Sequence, residues 1–250
     1  MMKLDRPNPN EIERLMSPLV FHDDFFLPNV SLQEFGLCFQ SLAGKQVDLL
    51  DVGKEYSKRT NHVYVLCREK IVIEKKLTVN TSYTLVTYPL TPGRLQMQRE
   101  AYLLDEKDEV VLKVDSIWVL VDYVSRRMVR TNDVYQAQAK YPRFNTFEPL
   151  FTEKLETIED YELSDFEKVF EHKVDDSDLD ANDHMNNTVY LKLVQPFVSG
   201  NIQSVEIDFE KECRKDDTLE IYRRKTENTA FFIGMKEDRK LSFKIKIILE

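Results

Sequence analysis

An α+β fold built twice on one plan is what the order of patterns in this 250-residue chain predicts. Three observations predict it. A strand-like run, a helix with a start signal and several long strand-like runs fill the first half. The order strand, helix, strands then recurs from Phe166 to the end, with little identity between the copies. The closing runs also alternate as half-buried strands do. Val205, Ile207 and Phe209 oppose Ser204, Glu206, Asp208 and Glu210, and Phe243, Ile245, Ile247 and Leu249 oppose Lys244 and Lys246. Each copy reads as a long helix wrapped by a curled antiparallel sheet.

Taken in order, Leu19 to Phe26 is the first strand. Ser31-Leu32-Gln33-Glu34 is a capping box, and Phe35, Cys38, Phe39, Leu42 and Ala43 then fall on one helical face. This helix is expected to end near Gly44 or to run raggedly to Gly53. Val63–Glu74, Ser82–Tyr88, Arg94–Asp105 and Glu109–Asp122 read as strands, with a polar turn at Asp105–Asp108. Asn132 to Ser164 breaks the pattern with Pro142 and Pro149. Its aromatics Tyr135, Tyr141, Phe144, Phe147 and Phe151 argue for a packed connection with some helix. The second copy then runs from a strand at Phe166–Val174 through a helix to strands at Ile202–Cys213, Thr218–Lys225, Thr229–Lys236 and Leu241–Leu249. The expected division is residues 1–131, a connection over 132–164, and residues 165–250.

Composition narrows the function. Six glycines and nine prolines argue against low complexity, and a net charge of −9 disfavours nucleic acid as a bulk partner. Three scattered cysteines, Cys38, Cys67 and Cys213, suit a reducing cytoplasm and supply no CxxC zinc pattern. The start Met1-Met2-Lys3-Leu4-Asp5-Arg6-Pro7 has no signal-peptide core, and no apolar run is long enough to span a bilayer. Neither HExxH nor GxSxG occurs, which argues against a zincin site and a serine α/β-hydrolase. No cofactor and no metal are expected.

One stretch concentrates chemistry. Asp178 to Tyr190 packs acids, amides and His184, one of four histidines, ahead of the apolar run Val189–Val194. Asn186 or Asn187 is a natural N-cap for a helix starting there. The plain reading is a solvated, acidic, helix-capping turn. A calcium loop fits poorly, because an EF-hand needs Gly at its sixth place and Glu at its twelfth. Counted from Asp176 those places hold Ala181 and Asn187, and from Asp178 they hold Asp183 and Val189. His22, His62 and His172 stand alone in the sequence.

Asp180-x-Asn182-x-His184-x-Asn186-Asn187-x-x-Tyr190 resembles the signature of the acyl-acyl carrier protein thioesterases. Downstream, Phe209-Glu210-Lys211-Glu212-Cys213-Arg214 is similar to that family's second motif. Ser116–Asp122, with the only Trp, is a weaker likeness. The resemblance implies a tandem, or double, hotdog fold with two long helices. It implies release of fatty acid from acyl carrier protein, ending chain elongation, with Asp180, Asn182, His184 and Glu212 as the catalytic positions. It places the acyl pocket mainly in the first copy, near the helix from Ser31. Plant members carry a plastid transit segment, so its absence implies a bacterial, cytosolic version or a mature form; a homodimer is compatible with either. The chain departs from the pattern at Pro196, which must stop or kink the second helix near Gln195. It also departs in a shorter span from the loop to Glu212, and at Leu193, where the family has Trp.

Those residues suit thioester hydrolysis. Asp180, Asn182 and His184 alternate and would point one way in an extended segment. Asn182 can donate to the oxyanion, and His184 can pass protons near neutrality. Glu212 can act as base on water, and Asp180 can orient the network or attack directly. Alternation puts Glu212 and Cys213 on opposite sides of a strand, which favours a buried structural Cys213. Two basic runs could receive the acidic carrier: Arg126-Arg127 with Arg130, Lys140 and Arg143, and Lys211 with Arg214 and Lys215; the plain reading of both is solvated surface charge. The rival functions are an acyl-CoA thioesterase, a hotdog dehydratase or hydratase, and a non-catalytic acyl-binding protein.

Overall fold

A computed structural model describes residues 21–27, 31–141 and 149–250. Leu19, Val20, Pro142, Arg143, Phe144 and Phe147 lie outside those residues. The first unit is β1 (Phe21–Leu27), α1 (Leu32–Leu49), α2 (Lys54–Thr60), β2 (His62–Ile73), β3 (Thr81–Pro89), β4 (Gln96–Leu104), β5 (Val110–Asp122) and the short β6 (Met128–Val129). α3 (Asn132–Gln138) opens the connection. The second unit is β7 (Glu167–Lys173), α4 (Asn187–Val194), β8 (Ile202–Phe209), β9 (Thr218–Lys225), β10 (Thr229–Lys236) and β11 (Leu241–Leu249).

All the strands join one antiparallel sheet in the order β1-β3-β4-β5-β2-β8-β11-β10-β9-β7, with β6 on β5. Read outward from the β2–β8 junction, the two halves have the same order of equivalent strands. Lys70 faces Glu206 at the middle of that junction, and their side chains pair at 2.8 Å. The expected duplication is therefore one sheet made of two halves related by a near two-fold.

The core lies between the helices and one face of this sheet. α1 starts as expected, with Ser31 Oγ accepting the Glu34 N–H at 3.4 Å. It buries Leu32, Phe35, Phe39, Leu42 and Ala43 against β3, β4 and β5. Removing the side chain of Phe39, which has no exposed surface, should cost about 3–5 kcal/mol by leaving a cavity. α1 also packs on α4, so closely that a Cβ on Gly36 would sit 2.8 Å from Thr188 Cγ2.

The end of each expected helix needs correction. α1 does not stop at Gly44, because that glycine faces open space and has no need of a left-handed turn there. It runs to Leu49, and Asp51 then takes the left-handed conformation at φ 60°. In place of a ragged end to Gly53, the chain turns over residues 50–53 and a separate helix, α2, starts at Lys54. Gly53 is required there, since a Cβ would meet Asp48 Oδ1 at 2.0 Å and that oxygen accepts the Lys54 N–H at 2.7 Å. The second helix is not long: α4 has 8 residues against 18 in α1. Pro196 is the reason, since the chain tightens into a 3-10 turn over Gln195–Phe197 where proline has no N–H to give.

After α3 the connection crosses the outer face of the sheet. Leu150 N–H donates to Glu100 Oε2 on β4, and Ile158 N–H donates to Asp208 Oδ2 on β8, each at 2.8 Å. The buried Lys244 on β11 donates to the Ile158 carbonyl at 2.6 Å and pairs with Asp160. Leu155 and Ile158 are buried beneath it. Among the described residues, no helix is long and apolar enough to cross a membrane.

Candidate active site

The polar loop between β7 and α4 folds into a stapled hairpin. Leu179 bridges Met185, Asp180 N–H donates to the His184 carbonyl at 2.7 Å, and Asp183 turns the chain at φ 60°. Asp180 Oδ1 accepts the Asn182 N–H at 2.7 Å and the His184 N–H at 3.3 Å. A short carboxylate facing successive amides two residues on favours a turn over an extended chain. The expected extended segment, with Asp180, Asn182 and His184 pointing one way by alternation, is therefore not present.

The loop is anchored on three sides. Asn186 is the N-cap of α4, its Oδ1 accepting from Thr188 N at 2.9 Å and Thr188 Oγ1 at 2.8 Å. Asp178, only 3% exposed, accepts the Asp175 N–H and lies 2.6 Å from His172 Nε2 on β7, so His172 does not stand alone. The segment that follows β8 supplies the third anchor. Met185 N–H donates to the Cys213 carbonyl at 2.8 Å, and His184 bridges Arg214.

That last pairing brings His184 beside Glu212. Nε2 lies 3.3 Å from Glu212 Oε1, within ion-pair range but outside hydrogen-bond geometry. The nitrogen is buried and has no hydrogen-bond partner among the described residues. Arg214 Nη2 reaches Glu212 Oε1 at 3.1 Å, and Arg126 Nη2 donates to Glu212 Oε2. Burial alone would raise the Glu212 pKa, but the Arg126 hydrogen bond, the His184 and Arg126 charges and Arg214 together hold it below the usual glutamate range. The Asn182 amide is exposed at the hairpin tip and makes no side-chain hydrogen bond among the described residues. His184 and Glu212 are thus brought together, Asp180 is committed to the backbone of the loop, and Asn182 stands free beside them in sequence.

The strand expected to reach Cys213 ends at Phe209, so Glu212 and Cys213 lie beyond it and strand alternation does not set their facing; Cys213 nonetheless points into the core. It has no exposed surface, sits 3.2 Å from Ser242 Oγ, and burial raises its thiol pKa. It is a poor nucleophile in that setting.

Arg126 is the residue that sequence reasoning placed elsewhere, as surface charge for a carrier. It sits in the turn between β5 and β6 at φ 59° and belongs to the first unit. Nothing local links it to Glu212, because the partners are 86 residues apart and meet only through the β2–β8 junction. The positive φ follows a turn in which Arg126 N–H donates to the Asp122 carbonyl at 2.8 Å.

Comparison with known proteins bears on this arrangement. Residues 20–138 match the acyl-ACP thioesterase N-terminal domain, and residues 161–250 match the acyl-ACP thioesterase C-terminal domain. The chain is 25% identical over 199 residues to a chloroplastic palmitoyl-acyl carrier protein thioesterase of Arabidopsis thaliana, covering 76% of this chain and 47% of that protein. It is 26% identical over 180 residues to a chloroplastic oleoyl-acyl carrier protein thioesterase 2 of Arabidopsis thaliana, covering 65% of this chain and 47% of that one. The chain spans less than half the length of these curated relatives. The crystal structure of an acyl-ACP thioesterase from Bacteroides thetaiotaomicron superposes with a TM-score of 0.82 at 17% identity, over 94% of this chain and 100% of the other. The 12:0-ACP thioesterase from Umbellularia californica gives 0.79 at 16%, over 92% and 96%. Those likenesses establish the double hotdog fold, and the two matched domains, in order and over most of the sequence, make this chain a member of the acyl-ACP thioesterase family.

Proposed function

We propose that this chain hydrolyses the thioester of fatty acyl-acyl carrier protein, releasing free fatty acid. The observation that carries the reading is the buried, unpartnered His184 Nε2 facing an ionised Glu212 in a loop held rigid by Asp180, Asn186 and the strand segment beside it. Asn182 offers its amide N–H to the carbonyl oxygen as it becomes an oxyanion. A water held beside the His184–Glu212 pair attacks the carbonyl carbon, and its proton passes to His184. The tetrahedral intermediate collapses, the C–S bond breaks, and His184 returns the proton to the leaving thiolate. Glu212, kept ionised by Arg126 and Arg214, supports the imidazolium and takes part in holding the water. Asp180 shapes the loop, since its Oδ1 already holds two backbone N–H groups. The acyl chain enters the first unit between α1 and the sheet.

Docking of the acidic carrier falls to the cations left over. Arg126 and Arg214 are engaged with Glu212, and Lys215 pairs with Asp176 at 2.7 Å. Arg127, Arg130 and Lys211 are exposed and make no ion pair among the described residues. Reversing the charge at Arg127 should raise KM for the protein carrier and spare a small acyl thioester, whereas reversal at Arg214 should also reach the chemistry through Glu212. The deciding experiment is thiol release from matched acyl-acyl carrier protein and acyl-CoA substrates across a salt series. The reading expects the carrier-protein substrate to be preferred and its kcat/KM to fall as salt rises. Equal or better use of acyl-CoA would overturn the carrier assignment.

A further inference from the structure

The helix-facing side of the first unit carries one polar row. Arg99 on β4 pairs with Ser116 on β5, and Ser116 with Glu69 on β2, so the three side chains share a face. The rows on either side are apolar: Ala101, Val114 and Ile71 on one, Met97, Trp118 and Leu66 on the other. Arg99 is 7% exposed and donates to Gln46 Oε1 on α1 and to Thr87 Oγ1, with no carboxylate partner among the described residues. Because Gln46 turns its oxygen to the guanidinium, its Nε2 is left as a donor, fully buried and without a partner. Glu69 is 6% exposed and makes no hydrogen bond or ion pair among the described residues, and burial pushes its pKa up to about 7. Between Arg99 and Glu69 lies only the short Ser116, whose hydroxyl is taken by the Arg99 carbonyl and the Trp118 indole N–H. A buried donor with no partner, beside a nearly buried carboxyl with none among the described residues, costs stability unless something else completes it.

We propose that this row is a subsite for a hydroxyl group on the acyl chain, so that the preferred substrates are hydroxylated fatty acyl thioesters. The inference rests on the thioesterase reading only in that the acyl chain enters the first unit from the His184 loop. A hydroxyl can donate to Glu69 or accept from Gln46 Nε2; a methylene can do neither, and a ketone cannot donate. Glu69 is opposite Ile207 on β8, five residues before Glu212; the strand runs on to Phe209 before the chain bends at Lys211, so the two are up to about 17 Å apart. The hydroxyl recognised there is therefore in the distal part of the chain, not beside the thioester.

The test is thiol release from acyl-acyl carrier proteins of one length, plain or with a hydroxyl moved along the chain, by the wild type and Glu69→Met, with melting curves for both proteins. A tenfold or greater preference in kcat/KM for a distal hydroxyl is expected in the wild type. Glu69→Met should erase it and melt higher, because an unpaired buried carboxyl has gone. No preferred hydroxyl position, or a Glu69→Met protein that melts lower and keeps the preference, overturns the subsite. If neither kind of thioester turns over, the thioesterase reading fails separately. The subsite is then read from thermal shifts with free fatty acids: greater stabilisation by the hydroxy acid sustains it, and equal shifts overturn it.

Discussion

The two units share five strands in the same order, yet they differ where function would sit. In the first, residues 28–31 join β1 to a helix of 18 residues; in the second, residues 174–186 join β7 to a helix of 8. The second unit has given up helix length for a stapled polar loop. The same row of the sheet also differs in character: Arg99, Ser116 and Glu69 in the first unit continue as Ile207, Ile245 and Phe232 in the second. One half makes this row apolar and presents polar groups at a loop; the other keeps a long helix and hides polar groups beneath it. The two halves share a frame and differ in one connection and one row; under the proposed function the loop carries the chemistry and the first unit receives the acyl chain.

That contrast can be broken at several points. The largest effect should come from the long helix. Phe39→Ala should lower stability by about 3–5 kcal/mol in denaturant unfolding, because α1 carries the first unit's core. A loss under 1 kcal/mol would mean that α1 is not the element around which this unit packs. Next is the loop. Asn182→Ala should cut kcat roughly a hundredfold, the scale of one lost oxyanion donor, with an unchanged melting curve, since the side chain is exposed.

The link between the units is third. Arg126→Ala should lower kcat/KM by roughly tenfold, and Arg126→Lys should restore part of it. The sign of its pH effect follows from Glu212, whose pKa is held down by Arg126 among others. Removing that cation lets the pKa rise, so the acid limb of the kcat/KM profile should move to higher pH. A drop in rate with no movement of that limb would make Arg126 a merely structural contact. The smallest effect belongs to Cys213→Ala, which should retain most activity, because the thiol faces Ser242 and Tyr190 in the core. Loss of turnover in a folded Cys213→Ala protein would reverse the facing argued for Glu212 and Cys213.

Periodicity made much of this readable in advance. The alternation of β8 and β11, the Ser31 cap, the Asn186 cap and the stop at Pro196 depend on neighbours in sequence, and each was legible. The division of Glu212 from Cys213 came out as expected, but both lie beyond the end of β8, so strand alternation is not its cause. Contacts made by distant segments were not. Arg126 meets Glu212, and His172 meets Asp178, only once strands are in register, and the polar row under α1 needs three strand pairings to become visible. The loop was misread as extended because alternation of residue types ignores what a carboxylate does to nearby amides. The helix end was misread because Gly44 was taken as a stop, when a glycine facing open space can ride inside a helix.

The central claim is that His184 and Glu212 work as one unit in a loop of the second half, and a double-mutant cycle tests it most directly. Thiol release from acyl-acyl carrier protein would be measured for the wild type, His184→Ala, Glu212→Gln and the double variant, all checked for folding. Groups that act on the same water should fail together, so the double variant should lose little more than the worse single one. Losses that multiply, or a His184→Ala protein that keeps near-normal turnover, would contradict the account.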